Sequence, residues 1–120
     1  MVYNEALAAR VRALLGGERS IEDLEEKKMF GGLTFMVNGQ MCCGVMKDDL
    51  IVKMDPSIYE DVLAQPGARP FDFSGRPMPG MVYVASSALD KDNVLQQWVK
   101  RGIDFVIAHP KTEKKRARRR

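Results

Sequence analysis

The chain has 120 residues, 45% of them hydrophobic and two of them cysteine, which matches one domain that can bury a core without disulfides. Its apolar runs are shorter than the roughly 18 residues of a membrane helix. MVYNEALAAR also lacks the basic start of a signal peptide, so we expect a cytoplasmic protein without membrane contact and with reduced thiols. The net charge is +3, but residues 111–120 carry seven basic and one acidic side chain (+6), whereas residues 1–110 carry 12 basic and 15 acidic ones (−3).

Two helical segments are predicted at the start of the chain. Asn4 can cap a first helix that runs to about residue 15. Its buried stripe follows the spacing i, i+4, i+7, i+8 and consists of Leu7, Val11, Leu14 and Leu15. Because Ser20 is followed three residues later by Asp23, a second, short helical turn is predicted there, with Ile21 and Leu24 facing inward.

A three-stranded antiparallel meander is predicted next. Asn38-Gly39 is a strong hairpin signal, since both residues accept a positive φ, and it separates MFGGLTFMV from QMCCGVMK. A weaker turn at Asp48-Asp49 precedes a third strand, LIVKM.

The turn at residues 38–39 predicts where the two cysteines point. Simple counting pairs Phe35 with Cys42 and Thr34 with Cys43, and it pairs Cys43 with Met54 across the second turn. The predicted core face then carries Thr34, Met36, Met41, Cys43, Val45, Leu50, Val52 and Met54. Cys42 falls on the opposite, mixed face, so the two thiols cannot share a metal. We interpret Cys43 as a core residue and Cys42 as a half-buried thiol whose reactivity stays open.

The second half of the chain predicts two further helices and a fourth strand. A helix is expected from Pro56 to Ala64, and the proline- and glycine-rich residues 65–80 then form a long ordered loop or a distorted edge. MVYVAS is the fourth strand. The last helix covers residues 91–109, and Gly102 within it is expected to admit a close neighbour. Its predicted buried stripe consists of Leu95, Trp98, Val99, Gly102 and Val106, with Phe105 beside it. The predicted fold is therefore α+β, with an antiparallel sheet packed against the N-terminal and C-terminal helices in a single domain over residues 1–110.

No catalytic constellation is visible, and no cofactor or metal is expected. GGLTF lacks the spacing of a phosphate loop, and the lone His109 is expected to cap the last helix. The candidate anion site consists of Lys53, Arg69 and Arg76. The alternative is that these arginines form salt bridges with Asp72 or Asp55.

The C-terminal residues 111–120 are expected to form a disordered basic tail, because they carry like charges and no large apolar group. Such a tail could hold nucleic acid without reading its sequence. Its candidate contact residues are Lys114, Lys115, Arg116, Arg118, Arg119 and Arg120.

Several separated blocks together resemble the TfoX (Sxy) N-terminal domain family. They are KKMFGGLTFMVNGQMCCGV, DDLIVKMDP, PGARPFDFSGRPM and a closing helix with a tryptophan, and they span about residues 3–108. The resemblance implies an α+β domain that, in longer bacterial relatives, precedes a second helical domain in regulators of natural competence. This chain continues after Pro110 only with the basic tail, as a stand-alone N-terminal domain would.

Three functions remain open at this point. The first is a non-enzymatic regulatory or interaction module with a partner in the transcription machinery, in contact with nucleic acid through the tail. The second is a small-ligand-binding protein or enzyme that uses Cys42 or the Lys53, Arg69 and Arg76 site. The third is a homodimer formed through an exposed sheet edge or a methionine-rich surface.

Overall fold

The computed structural model describes residues 3–19, 21–29, 31–72, 75–76 and 80–109. Over these residues the helices are α1 (Glu5–Gly16), α2 (Tyr59–Leu63) and α3 (Asp92–Ala108), with 3-10 turns at Pro56–Ile58 and Ser86–Ala88. The strands are β1 (Leu24–Met29), β2 (Gly32–Val37), β3 (Gln40–Met46), β4 (Asp49–Lys53), β5 (Ala68–Pro70) and β6 (Met81–Ala85). All pair antiparallel in the order β1-β2-β3-β4-β6-β5, which confirms the predicted α+β class.

The main core lies between one face of the sheet and helices α1 and α3. Regular strand positions alternate between the two faces: Val45 belongs to this core, whereas its neighbour Met46 points to the opposite face. A smaller cluster on that opposite, outer face consists of Met46, Ile51, Phe71 and Met81, with Met41 and Tyr83 packed around it. The sheet is therefore apolar on both sides.

Helix α1 begins as predicted at Asn4, whose side chain accepts a hydrogen bond of 3.0 Å from the Leu7 N–H. Its buried residues are Leu7, Ala8, Val11 and Leu15. Helix α3 likewise confirms the predicted stripe, with Ile103 as an additional buried residue.

Residues Leu24–Met29 form strand β1, so the predicted helical turn that included Leu24 is wrong. The Asn38 side chain accepts hydrogen bonds from the N–H groups of Glu22 and Asp23, at 2.9 and 3.0 Å. The Asn38 N–H in turn donates to the Asp23 carbonyl at 2.7 Å. These bonds attach residues 22–23 to the hairpin turn and direct the following residues along β2, so tertiary pairing overrides the local capping pattern. Ser20 lies outside the described residues.

The first hairpin turn is as predicted, with φ of 51° at Asn38 and 83° at Gly39. The second turn lies one residue earlier than predicted, because Met46 pairs with Asp49 and Lys47 takes a φ of 54°. The Lys47 carbonyl oxygen also accepts a hydrogen bond of 2.6 Å from the Asn4 N–H. Consequently Cys43 pairs with Val52 and not with Met54.

The proline- and glycine-rich segment contains the short edge strand β5, which pairs with β6. Only residues 75–76 and 80 of the second half of this segment are described. The segment returns to the sheet at Gly80, whose carbonyl accepts from the Met54 N–H at 2.8 Å. The alternative of a distorted edge is thus the one observed for residues 68–70.

Candidate functional site

The cysteines lie at a β-bulge that the counted register did not include. Phe35 pairs with Cys43 and Met36 pairs with Met41, so Cys42 is an extra residue in β3. Met41, which was predicted on the core face, packs instead against the outer cluster, and Met36 pairs with it. The prediction that Cys42 and Cys43 point to opposite faces is therefore wrong: both belong to the main core.

Helix α3 packs directly on this bulge through Gly102. A Cβ atom placed on Gly102 would lie 2.5 Å from the carbonyl oxygen of Cys42 and 2.9 Å from its Sγ. A real Cβ atom essentially never has contacts this short, so the helix and strand approach closely only because residue 102 has no side chain. The expected close neighbour of Gly102 is thus the bulged cysteine.

The two thiols are poorly placed for chemistry with an external substrate. Cys42 and Cys43 are both 0% exposed. The hydrogen bond between the side chains, followed by burial, raises the pKa of Cys43 well above its usual value. The thiolate is the reactive form of cysteine, so burial disfavours nucleophilic catalysis at both residues, and the raised pKa disfavours it further at Cys43.

Arg69, the second residue of the candidate anion site, is held on the outer face of the sheet. Its Nη2 lies 3.0 Å from Oδ2 of Asp49, and its guanidinium lies 5.0 Å from the centre of the Tyr83 ring. This hydrogen bond raises the pKa of Arg69. A salt bridge was the predicted alternative, but its partner is Asp49 and not Asp72 or Asp55, because β5 and β4 flank β6 and point both side chains across it.

The described surroundings of Lys53 and Arg76 differ from those of Arg69. Lys53 Nζ lies 5.3 Å from the centre of the Phe105 ring on α3. Arg76 is exposed at a bend. No described contact links the three cations, and Arg69 is paired with a carboxylate, so the anion site stays a prediction.

His109 ends α3, as predicted. Its Nδ1 lies 2.9 Å from the Phe105 carbonyl oxygen, and its ring stacks on Phe105 with the centroids 4.4 Å apart. The His109 carbonyl accepts a hydrogen bond of 2.6 Å from the Gln40 side chain. The end of α3 is thus fastened to the start of β3, next to where the basic segment begins. Residues 110–120, including all six candidate nucleic-acid contacts, lie outside the described residues.

A shallow cleft of about 310 Å³ separates α1 from α3. Arg10 lines this cleft, donates a hydrogen bond of 2.7 Å to the Leu89 carbonyl and pairs with Asp92, also in the lining, at 3.0 Å. The other lining residues are Ala13, Leu14, Leu95 and Gln96. Arg10 is the cation among the described lining residues, and it is already paired with Asp92. The cleft therefore offers a ligand few unsatisfied polar groups.

Sequence reasoning missed the charged edge of the sheet. In β1, Glu26 accepts two hydrogen bonds from Arg12 of α1, at 2.5 and 2.9 Å. The pair lowers the pKa of Glu26 and raises the pKa of Arg12. Four consecutive charged residues, EEKK, gave no apolar alternation to indicate a strand, and the Arg12 contact depends on tertiary packing.

The described residues lack two structural features. No group of three or more His, Cys, Asp or Glu side chains is arranged there to hold a metal ion. No described helix is long and apolar enough to span a membrane.

One comparison with known proteins gives a match. A family model described as the TfoX N-terminal domain matches residues 18–106, a range that begins just after α1 and includes all six strands and most of α3. No curated protein and no solved structure matches the chain.

Proposed function

The chain belongs to the TfoX N-terminal domain family, and we propose from this membership that it is a non-enzymatic regulatory module related to competence regulators. The observation that carries the proposal is the match over residues 18–106, which includes every strand of the sheet. Burial of both thiols and the pairing of Arg69 with Asp49 support a binding role over catalysis. Such a module acts in the cytoplasm by contacting a protein of the transcription machinery.

Nucleic acid is the second partner in this proposal. The segment 111–120 carries +6, whereas the rest of the chain carries −3. Attraction to a polyanion is therefore concentrated in ten residues and opposed by the domain itself. A short basic segment contacts phosphates without reading bases, so the expected binding is independent of sequence.

Binding of the full chain to fluorescent duplex DNA, measured by anisotropy over a salt series, tests this half of the proposal. The tail carries a net charge of +6, so we expect the slope of log K against log salt concentration to be no steeper than about −5. Deletion of residues 111–120 should abolish binding and leave the melting temperature unchanged. A matched variant with Arg116, Arg118, Arg119 and Arg120 all changed to Lys should keep the affinity within a few fold, because it keeps the charge.

Two outcomes would contradict the role of the tail. Absence of DNA and RNA binding by the full chain at low salt would exclude nucleic acid as a partner. Undiminished binding by the truncated chain would assign the contact to another surface, of which Lys53 and Arg76 are the first to test.

The protein partner is tested by recovering the tagged full chain from its own cells, with and without nuclease. A transcription protein that stays bound after nuclease treatment would support direct contact. Loss of every partner on nuclease treatment would reduce the proposal to nucleic-acid binding alone. Recovery of the chain with metabolic enzymes only would contradict a regulatory role.

A further inference from the structure

Strand β1 lies at one edge of the sheet. On the side away from β2, no described strand pairs with its backbone N–H and C=O groups. The Asn38 N–H donates to the Asp23 carbonyl, so residue 23 directs its backbone groups toward β2. Since this direction alternates along an antiparallel strand, residues 25, 27 and 29 also face β2. Leu24, Glu26 and Lys28 therefore direct their N–H and C=O groups away from the sheet.

The charges along this edge complement a second copy of the same edge. Two β1 strands related by a two-fold axis perpendicular to the sheet run antiparallel, and paired residues share a face. With the axis at Glu26, Leu24 pairs with Lys28 of the second copy and Glu25 pairs with Lys27 of the second copy. All three outward-facing residues of each strand then find backbone partners, which gives six N–H···O=C bonds, and Glu25–Lys27 contacts of opposite charge occur twice.

We propose that the chain forms a two-fold dimer by pairing β1 with β1 in this register. The dimer would join the two sheets into one continuous sheet of twelve strands. This proposal does not depend on the proposed regulatory function.

Glu26 can lie on the axis because Arg12 already neutralises it. Two Glu26 carboxylates would face each other on the helix side of the sheet, each bound by both donors of its own Arg12. Ala9 and Gly16 lie three and four residues from Arg12 on α1, and because both are small and exposed they present little bulk beside Arg12 to a second copy.

Neighbouring registers are disfavoured because they bring together like charges that nothing neutralises. An axis at Glu25 would oppose two glutamates on the outer face, and an axis at Lys27 would oppose two lysines there. The β2 residues beside them are Met36 and Thr34, which carry no charge. Charged residues commonly protect a sheet edge from pairing, but here the same charges favour one register and penalise its neighbours.

Sedimentation equilibrium of the full chain, from micromolar to millimolar concentration, tests the dimer. The expected mass rises from 13.5 kDa toward twice that value as concentration increases. The Glu25→Lys and Lys27→Glu variants should each weaken the dimer about tenfold or more, since each replaces two attractive contacts by two repulsive ones.

The decisive variant is the charge swap Glu25→Lys/Lys27→Glu. It restores both opposite-charge contacts only if residue 25 faces residue 27, so its dimer affinity should return to within about threefold of the unmodified chain. Both side chains are exposed in the single chain, so at concentrations where the chain is monomeric the circular dichroism and the melting temperature should be the same for all variants. The proposal is overturned if the chain is monomeric at every concentration. It is also overturned if the single substitutions leave the dimer affinity unchanged, or if the charge swap does not restore that affinity.

Discussion

Replacement of Gly102 by alanine directly tests how α3 packs against the bulge at Cys42. In an open helix this change would stabilise the protein by about 1 kcal/mol, because glycine is a poor helix former. Here the new Cβ would lie 2.5 Å from the Cys42 carbonyl oxygen and 2.9 Å from its Sγ. Ordinary contacts begin near 3.4 Å, so either the helix or the strand must move by almost an ångström.

The obstacle is backbone, which cannot move aside as a flexible side chain can. Overpacking of a tight core costs about 1–3 kcal/mol, and the backbone contact places Gly102→Ala toward the upper part of that range. After the gain in helix propensity, we expect a net loss of about 1–2 kcal/mol. The melting temperature should fall by roughly 3–8 °C.

Urea denaturation, monitored by circular dichroism, measures this change against a matched control. Gly16, the last residue of α1, has no atom within 4 Å of a built Cβ, so Gly16→Ala should stabilise by up to about 1 kcal/mol. Adding Cys42→Ala to Gly102→Ala removes the Sγ contact but not the carbonyl contact, so it should relieve only part of the overpacking strain. If Gly102→Ala stabilises as much as Gly16→Ala, the close approach of α3 to the bulge is wrong.

Two other predictions concern the core and the charged edge. Neither Cys42 nor Cys43 should react with a thiol reagent in the native state, and rapid labelling of the native chain would contradict their burial. Cys43→Asp should lower the free energy of unfolding by several kcal/mol, because it buries a carboxylate. Glu26→Gln should lower stability by at most about 1 kcal/mol at neutral pH, because its pair with Arg12 is partly exposed. Since Arg12 lowers the pKa of Glu26, this contribution is present above the unfolded pKa and lost as pH falls through the folded pKa. Urea titrations of the Glu26→Gln variant and the unmodified chain should therefore converge in acid, and a difference that grows there would refute the assignment.

Features that depend on residues close in the chain could be predicted from the sequence. The Asn4 cap, the Asn38-Gly39 turn and the buried stripe of α3 are local, and each follows from the conformational preference or spacing of a few neighbouring residues. The same reasoning correctly anticipated that Gly102 has a close neighbour and that His109 ends the last helix. The predicted helices and strands, together with the family resemblance, indicated the α+β class of the domain.

Features set by contacts between distant segments could not be predicted in this way. The bulge at Cys42 appears only when Phe35 and Cys43 are both drawn into the core, which leaves one residue of β3 without a partner. Arg69 finds Asp49 because two strands flank β6, although twenty residues separate them in the chain. Strand β1 forms because Asn38 fixes its start beside β2, and Arg12 then covers Glu26. In each case a pairing or packing contact outweighs a local preference, because the energy of that contact exists only after the chain has folded.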